Sequence, residues 1–433
     1  MIIGDGTQHS KISIENDFTR DAFGKLRVSN PYPGFSSKAE YSKNNHVWWE
    51  VDETGAQVDI ATQSGTSSTI EMPIAAVAGS SLIRQTRSWF PYQPGNSHRP
   101  IITFAMRAPA PGIVKRVGLF SRENGIFFEQ GADGIYYIVL RSSSSGIIVE
   151  RKIAQSEWNI DTFSTNGLNP SRVNEEFERK EDGTLFSFEN TVILDIDLEW
   201  LGVGLVRVGF NIDGETFYAH EFRNSGFETT TYMKTASLPI RYEITNVTGE
   251  NTGSLLQICQ GLHIEGGSEL WGVPQVASTI ITPVSALANA YKGVIAVRPR
   301  SLFYTYENRA TIIPTNFEMR VISNGLCYVE LLHNASITAT GWAPIDASAD
   351  TESATEFTTN ITAYSGGHVH KRFYIAADNK GSLLQGSEFI QNLYLNRGYD
   401  HTVDADAETY MVVIYPLGNA ADVYANLEVA EVY

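Results

Sequence analysis

Three carboxylates alternate along one short stretch of the chain, Asp195, Asp197 and Glu199 in "LDIDLEWLGVGLVRVGFNIDGE", residues 194 to 215. Alternate positions of a strand face the same side, so the three project together. Side-by-side carboxylates are the equipment of acid–base and nucleophilic catalysis. The same stretch holds Gly202 and Gly204, which raises phosphate binding as a second reading. A dinucleotide-binding loop needs its glycines between a strand and a helix, however, and here a strand follows them.

Other chemistry-bearing residues are sparser. His368 and His370 in "GGHVH" share a strand face, but no third ligand is spaced nearby, so they read as a solvated strand or turn. Asp404, Asp406 and Glu408 in "VDADAE" alternate with small residues and lack the loop pattern of a calcium site, which suits a solvated charge run. Cys259 and Cys327 are the only cysteines, too few and too far apart for a disulfide framework or a zinc site. Both sit in apolar strand contexts and read as small buried hydrophobes with inert thiols. There is no Gly-x-Ser-x-Gly elbow. No metal and no cofactor are expected.

The elements that must position the carboxylates follow from parity. Leu194, Ile196, Leu198 and Trp200 share the face opposite the acids, and Val206, Val208, Phe210 and Ile212 keep that parity after the glycines. Two such strands fill one core only if an odd-length loop, such as Leu201 to Val203, joins them. Arg207 then lies opposite Asp197 or Glu199, a cross-strand ion pair. Asp213-Gly214 predicts a second hairpin of the primed type, with Phe210 opposite Phe217 and Arg207 near His220. The stretch is a three-stranded meander.

The wider chain has 433 residues, 42% of them hydrophobic, enough for two or three packed domains. Its 36 glycines, abundant aromatics and frequent turn signals predict an all-β fold of short strands. The nearest approach to a helix is "VSALANAYKG", residues 284 to 293. Residues 1–45, polar and turn-rich with one clear strand at Phe23 to Ser29, read as an N-terminal arm. Residues 46–267 read as one large antiparallel domain with a charged surface loop near 160 to 190, 268–294 as a connector, and 295–433 as a C-terminal β-sandwich with a hairpin turn at Asn324-Gly325. The formal charge of −17 repels phosphates, so no nucleic acid partner is expected. No leader peptide and no window approaching 18 apolar residues is visible, so no membrane association is expected either.

Two resemblances add to these readings. "DIDLEWLG" resembles the Glu-x-Asp-x-Glu signature that laminarinase-like retaining β-glucanases carry on a strand of a concanavalin-like jelly roll. The resemblance implies a nucleophile at Asp195, a helper at Asp197 and a general acid/base at Glu199. It departs at the first position, where Asp stands for Glu and shortens the side chain by one methylene. Retaining chemistry brings its two carboxyls within about 5 to 5.5 Å. On a straight strand residues i and i+4 are roughly 13 Å apart, so the mechanism requires a concave sheet.

The second resemblance is broader. "DAFGKLRVSNP", "IRQTRSWFPYQPGNS", "VKRVGLFSRENGIFFEQGADGIYYIVLRSS", "AQSEWNIDTF", "IDLEWLGVGLVRVGFNIDGETFYAHEF", "LPIRYEI" and "QICQGLHIEGG" together resemble structural virion proteins of tailed bacteriophages, over roughly residues 20 to 267. A weaker continuation runs into "AVRPRSLF" and "ENRATIIPTNFE". This resemblance implies a non-enzymatic virion component, a tail, baseplate or fibre subunit or a head decoration protein, assembled in the host cytoplasm as a homo-oligomer beside other virion proteins.

Within it, "RQTRSWFPYQPGNSHRP" supplies interface candidates, Arg84, Arg87, Trp89, Phe90 and Tyr92, because interfaces enrich aromatics and Arg while prolines fix the backbone. The same segment also reads as a crossover packed on its own domain. The expected fold is thus a lectin-like antiparallel jelly-roll sandwich plus a second β-sandwich and an extended arm. Carbohydrate binding to a host surface polysaccharide, with Trp89, Tyr136, Trp158 and Tyr218 as stacking candidates, is the alternative role; β-glucan hydrolysis by Asp195, Asp197 and Glu199 is the other.

Overall fold

The computed structural model describes residues 31–53, 60–164, 186–267, 272–323, 325–348, 352–377, 382–385, 393–398 and 407–433. The expected strand at Phe23 to Ser29, most of the charged loop, Asn324, and Asp404 and Asp406 lie outside them. The chain divides into two units, Met1–Thr86 with Tyr92–Glu269, and Arg87–Pro91 with Leu270–Tyr433.

Unit 1 is built of β1 (Tyr32–Lys38), β2 (Trp48–Asp52), β3 (Thr62–Ser64), β4 (Thr69–Ile74), β5 (Ser80–Thr86), β6 (Ser97–Ala105), β7 (Ile113–Phe120), β8 (Gly125–Gln130), β9 (Tyr136–Ser142), β10 (Val149–Ala154), β11 (Thr191–Leu198), β12 (Val206–Ile212), β13 (Glu215–Phe222), β14 (Ile240–Asn246) and β15 (Gly253–Glu265). Among the described residues these form two antiparallel sheets. One runs β13-β12-β11-β6-β15-β4-β3 with β1 added on β15, the other β10-β9-β8-β7-β14-β5-β2. This is the expected jelly-roll sandwich.

Its interior is set by period-2 alternation. Leu194, Ile196, Ile102 and Phe104 from one sheet and Val117, Leu119, Phe128 and Ile138 from the other are fully buried. Phe128 of β8 reaches Phe104 and Phe210 of the facing sheet, at ring distances of 5.8 and 5.1 Å, and also meets Phe188 at 4.8 Å.

Unit 2 is a second β-sandwich. One sheet orders Val273–Ser278, Ala421–Val432, Thr311–Ile322 and Ser382–Gln385, with Val284–Ala286 also on Ala421–Val432. The other orders Ala343–Pro344, Thr355–Thr358, Lys292–Pro299, Tyr410–Leu417, Gly325–His333 and His368–Ala377. Phe317, Val321 and Leu427 from the first and Cys327, Val329, Val412 and Ile414 from the second share a core. On its other side the six-stranded sheet buries Leu332, Met411 and Val413 beside Ile361 of a small two-stranded sheet, Ser336–Thr340 with Asn360–Ser365.

Three details differ from the sequence expectation. Residues 32–38 of the expected arm form β1, which joins the large domain's sheet: β1 pairs with β15 from Tyr32↔Ile264 to Lys38↔Cys259, and Ser37 accepts a hydrogen bond from the Trp48 indole at 3.0 Å. The expected connector carries two strands, both on Ala421–Val432, because an open edge there supplies backbone partners. Its expected short helix is a strand at Val284–Ala286 followed by a turn with Asn289 at φ 59°, so pairing overrides local helix propensity.

Replacing Phe128, buried at the meeting of the two sheets, with Ala is expected to lower the stability of unit 1 by about 3–5 kcal/mol, read as a fall in the urea midpoint. A shift below about 1 kcal/mol would show that the aromatic cluster is not the centre of this core.

Candidate functional site

The acidic strand is β11, in the middle of its sheet between β6 and β12. Its even residues enter the core, and Asp195 and Asp197 take the opposite face, as parity requires. Asp197 pairs directly with Arg207 across the ladder, and Phe210 lies opposite Phe217. Asp213 and Gly214 take φ of 50° and 90°, the left-handed pair that a primed hairpin turn needs. Glu221 stands opposite Arg207, while His220 is shifted one place by a bulge at Val208/Gly209. A Cβ on Gly209 would come within 2.4 Å of the Phe217 carbonyl, so the bulge leaves room for glycine only. The loop between β11 and β12 is odd in length but longer than expected, with Leu198 paired to Val206.

Both aspartates are closed off. Asp195 and Asp197 have 0% relative exposure. Arg99 of β6 grips Asp195 with two nitrogens, Nε to Oδ1 at 2.9 Å and Nη2 to Oδ2 at 2.5 Å, and the Thr216 hydroxyl donates at 2.9 Å. Arg207 donates to Asp197 at 2.5 Å and lies over the Tyr218 ring at 4.6 Å. The position that would attack an anomeric carbon is thus occupied by a bidentate guanidinium, the strongest geometry for holding a carboxylate.

Glu199 is not on the strand. It opens the loop, its N–H donating to the Leu205 carbonyl at 3.0 Å and its own carbonyl accepting from the Tyr232 hydroxyl at 2.8 Å. Gly204 donates to the Trp200 carbonyl at 2.7 Å, so these glycines shape a turn, not a phosphate cradle.

Most of the interface candidates have partners within the chain. Arg84 is fully buried, donating to Gln257 of the facing sheet at 2.7 Å and to Glu50 at 2.5 Å. Arg87 belongs to unit 2, with Trp89 and Phe90 at 4% and 6% exposure, and the Trp89 N–H donates to Asn396 at 3.0 Å. Tyr92, back in unit 1, accepts from the Trp200 N–H at 3.1 Å and packs edge-on against the Trp200 ring. Arg84, Trp89 and Phe90 are thus buried, whereas Arg87 and Tyr92 stay half-buried. Of the stacking candidates, Trp89, Trp158 and Tyr218 are likewise buried, and Tyr136 stacks on Phe128.

Two further expectations are corrected. Cys259 is exposed, because the bulge between Gln257 and Gln260 turns it outward; Cys327 is in the core of unit 2. Glu408 is buried, not solvated: burial pushes its carboxyl up to about 7 against the opposing pull of Arg87 and of the Asn396 N–H. His370 meets the Tyr410 hydroxyl at 3.2 Å, and among the described residues no three His, Cys, Asp or Glu side chains assemble as metal ligands.

Arg99 and Thr216 were not singled out in the sequence, though only Arg99 was out of its reach. Thr216 has the parity of the polar face and was legible from the hairpin, whereas Arg99 arrives through the β6–β11 pairing, almost a hundred residues away, which leaves no local trace.

Arg99→Met should destabilise unit 1 by about 3–5 kcal/mol, because it leaves Asp195 buried without its cation. Asp195→Asn in the same background should recover part of that loss in urea melts; a neutral single variant would mean that Asp195 has water as a partner instead. His98, fully enclosed beside Leu198 on the core face of β6, has its imidazole held down to about 4 by burial. Its folded value lies below the unfolded 6.5, so this contribution is complete above about pH 6.5 and fades as pH falls towards 4, on the order of 3 kcal/mol. His98→Phe is expected to flatten the stability profile across that window, and an unchanged profile would assign the slope to other groups.

No family model matches the sequence, and no curated protein is similar to it. Solved structures similar in fold include a β-glucanase of Bacillus licheniformis, at 9% identity, covering 56% of this chain and 100% of that one with a TM-score of 0.33. A glycoside hydrolase family 16 endo-glucanase of Bacteroides ovatus matches at 10% identity over 53% and 99% of the two chains, TM-score 0.33. The Emp46p carbohydrate recognition domain matches at 10% over 54% and 98%, TM-score 0.29. At these values the likeness assigns neither a family nor an activity.

Proposed function

We propose that this chain is a structural component of a tailed bacteriophage particle, working through assembly and surface presentation, with no chemistry at its acidic strand. One observation carries the non-catalytic half: Asp195 is sealed by Arg99 and Thr216, and Asp197 by Arg207. A retaining glycosidase needs its nucleophile open to the sugar and about 5 to 5.5 Å from its acid. Asp195 instead serves as the anionic half of a structural pair. The particle half rests on the motif run over roughly residues 20 to 267, and two sandwiches joined in one chain suit a building block of an assembly.

Particles of the encoding phage, purified and resolved by mass spectrometry, are expected to contain the chain at a fixed copy number. Purified protein should release no reducing sugar from a β-glucan panel, and Glu199→Gln should change nothing. Absence from particles overturns the assembly role; hydrolysis that Glu199→Gln abolishes overturns the non-catalytic one.

A further inference from the structure

We propose that unit 2 carries a binding platform for an uncharged glycan chain, on the outer face of its six-stranded sheet. Tyr374, Tyr328 and Tyr415 stand directly opposite one another on three adjacent strands, Tyr328↔Tyr374 on one side and Tyr328↔Tyr415 on the other. The Tyr328 and Tyr374 rings are 5.1 Å apart, and Tyr291 extends the row with its ring 4.7 Å from Tyr415. Tyr374 is 67% exposed and Tyr291 54%. The core does not need these rings, because Cys327, Val329 and Ile414, of opposite parity on the same strands, already fill it.

The next row along the strands holds a charge pair. Arg372 donates to Glu330 at 3.1 Å, and the Tyr328 hydroxyl donates to the same carboxylate oxygen at 2.7 Å. Beyond it the face is closed, since Leu332, Met411 and Val413 lie beneath the small two-stranded sheet, which brings the half-buried Tyr364 to its edge. The outcome is a row of tyrosine rings running along a step, tilted 47° between Tyr328 and Tyr374 and 55° between Tyr291 and Tyr415, with one carboxylate and one guanidinium beside it.

That combination selects the ligand. Tyrosine rings pack the C–H faces of sugar rings, and the Arg372 guanidinium, whose side chain is 62% exposed, offers donors to hydroxyl groups. Glu330 offsets Arg372, and the Lys292 ammonium is held on the Ile361 carbonyl at 2.7 Å, so the platform carries no dense charge and complements a polyhydroxyl and not a polyion; the chain's charge of −17 repels an acidic polymer further. Two leucines, Leu326 and Leu417, continue the face at 40% and 38% exposure, but the patch stays small. Four rings at about 5 Å spacing and four residues along the strands span roughly 15 by 14 Å. That is far below the ~800 Å² per partner that a stable protein interface buries, which argues against a second copy as the occupant. The inference is independent of the particle role, since a free adhesin would use the same surface.

The test is titration of the whole chain with dextran, mannan and mixed-linkage β-glucan, beside polygalacturonate as the acidic control, by calorimetry and affinity electrophoresis. At least one neutral polymer is expected to bind, with affinity falling tenfold or more in Tyr374→Ala and in Tyr291→Ala and largely kept in Tyr374→Phe. Both positions are exposed, so an unchanged melting curve separates lost binding from lost fold. Binding by none of the neutral polymers, preference for polygalacturonate, or binding that both alanine variants retain would overturn the proposal. So would a concentration-dependent dimer that Tyr374→Ala dissolves.

Discussion

A carboxylate removed from water has to be given a cation, and much of unit 1 is arranged around that demand. Isolated, Asp195 and Asp197 at 0% exposure would each cost several kcal/mol to bury as ions. Each is instead met by a guanidinium from a neighbouring strand, Arg99 from β6 and Arg207 from β12. The same rule governs the other sheet. Burial alone would raise Glu243, yet Arg241, Arg116 and Arg141 outweigh it and hold the carboxyl down to about 2. Arg116 also engages Glu129 at 2.7 Å, so two acids and two arginines form one connected network on that sheet. Such pairs contribute less to net stability than to uniqueness: a strand slipped by one residue would turn every partner away from its charge.

Much of this was legible because a strand has a period of two. The parity of residues 194 to 212 placed Arg207 opposite Asp197 or Glu199, of which Asp197 is the partner found, and Asp213-Gly214 fixed the next hairpin and the Phe210↔Phe217 pairing. Local signals of this kind reach as far as one turn. They could not supply Arg99, whose strand is adjacent to β11 only in space, and they failed at Cys259 and His220, where bulges break the parity on which they rely. Residues 284 to 286 show the converse. Their composition favoured a helix, and the unpaired edge of Ala421–Val432 decided for a strand.

The aromatic residues divide along the same line. A tryptophan- and proline-rich segment looks like a contact surface from composition, but Trp89 and Phe90 are enclosed, whereas Tyr374 and Tyr291, which no motif marks, stand in solvent. Composition reports what a residue is able to bury; only the pairing of strands decides which face receives it. The laminarinase-like signature follows suit. Its alternating acids stand on a central strand, and here Arg99 and Arg207 meet Asp195 and Asp197.

The pentapeptide Arg87–Pro91 lies in the middle of unit 1's sequence and belongs to unit 2. During synthesis it leaves the ribosome well before the first residue of the strands it will join, so Trp89 must wait unburied while most of unit 1 is made. Unit 2 is therefore not a segment that evolution can excise or transplant by a single break. Cutting the gene near residue 270 would separate it from a piece of its own interior, and the two sandwiches are inherited as one indivisible length of chain.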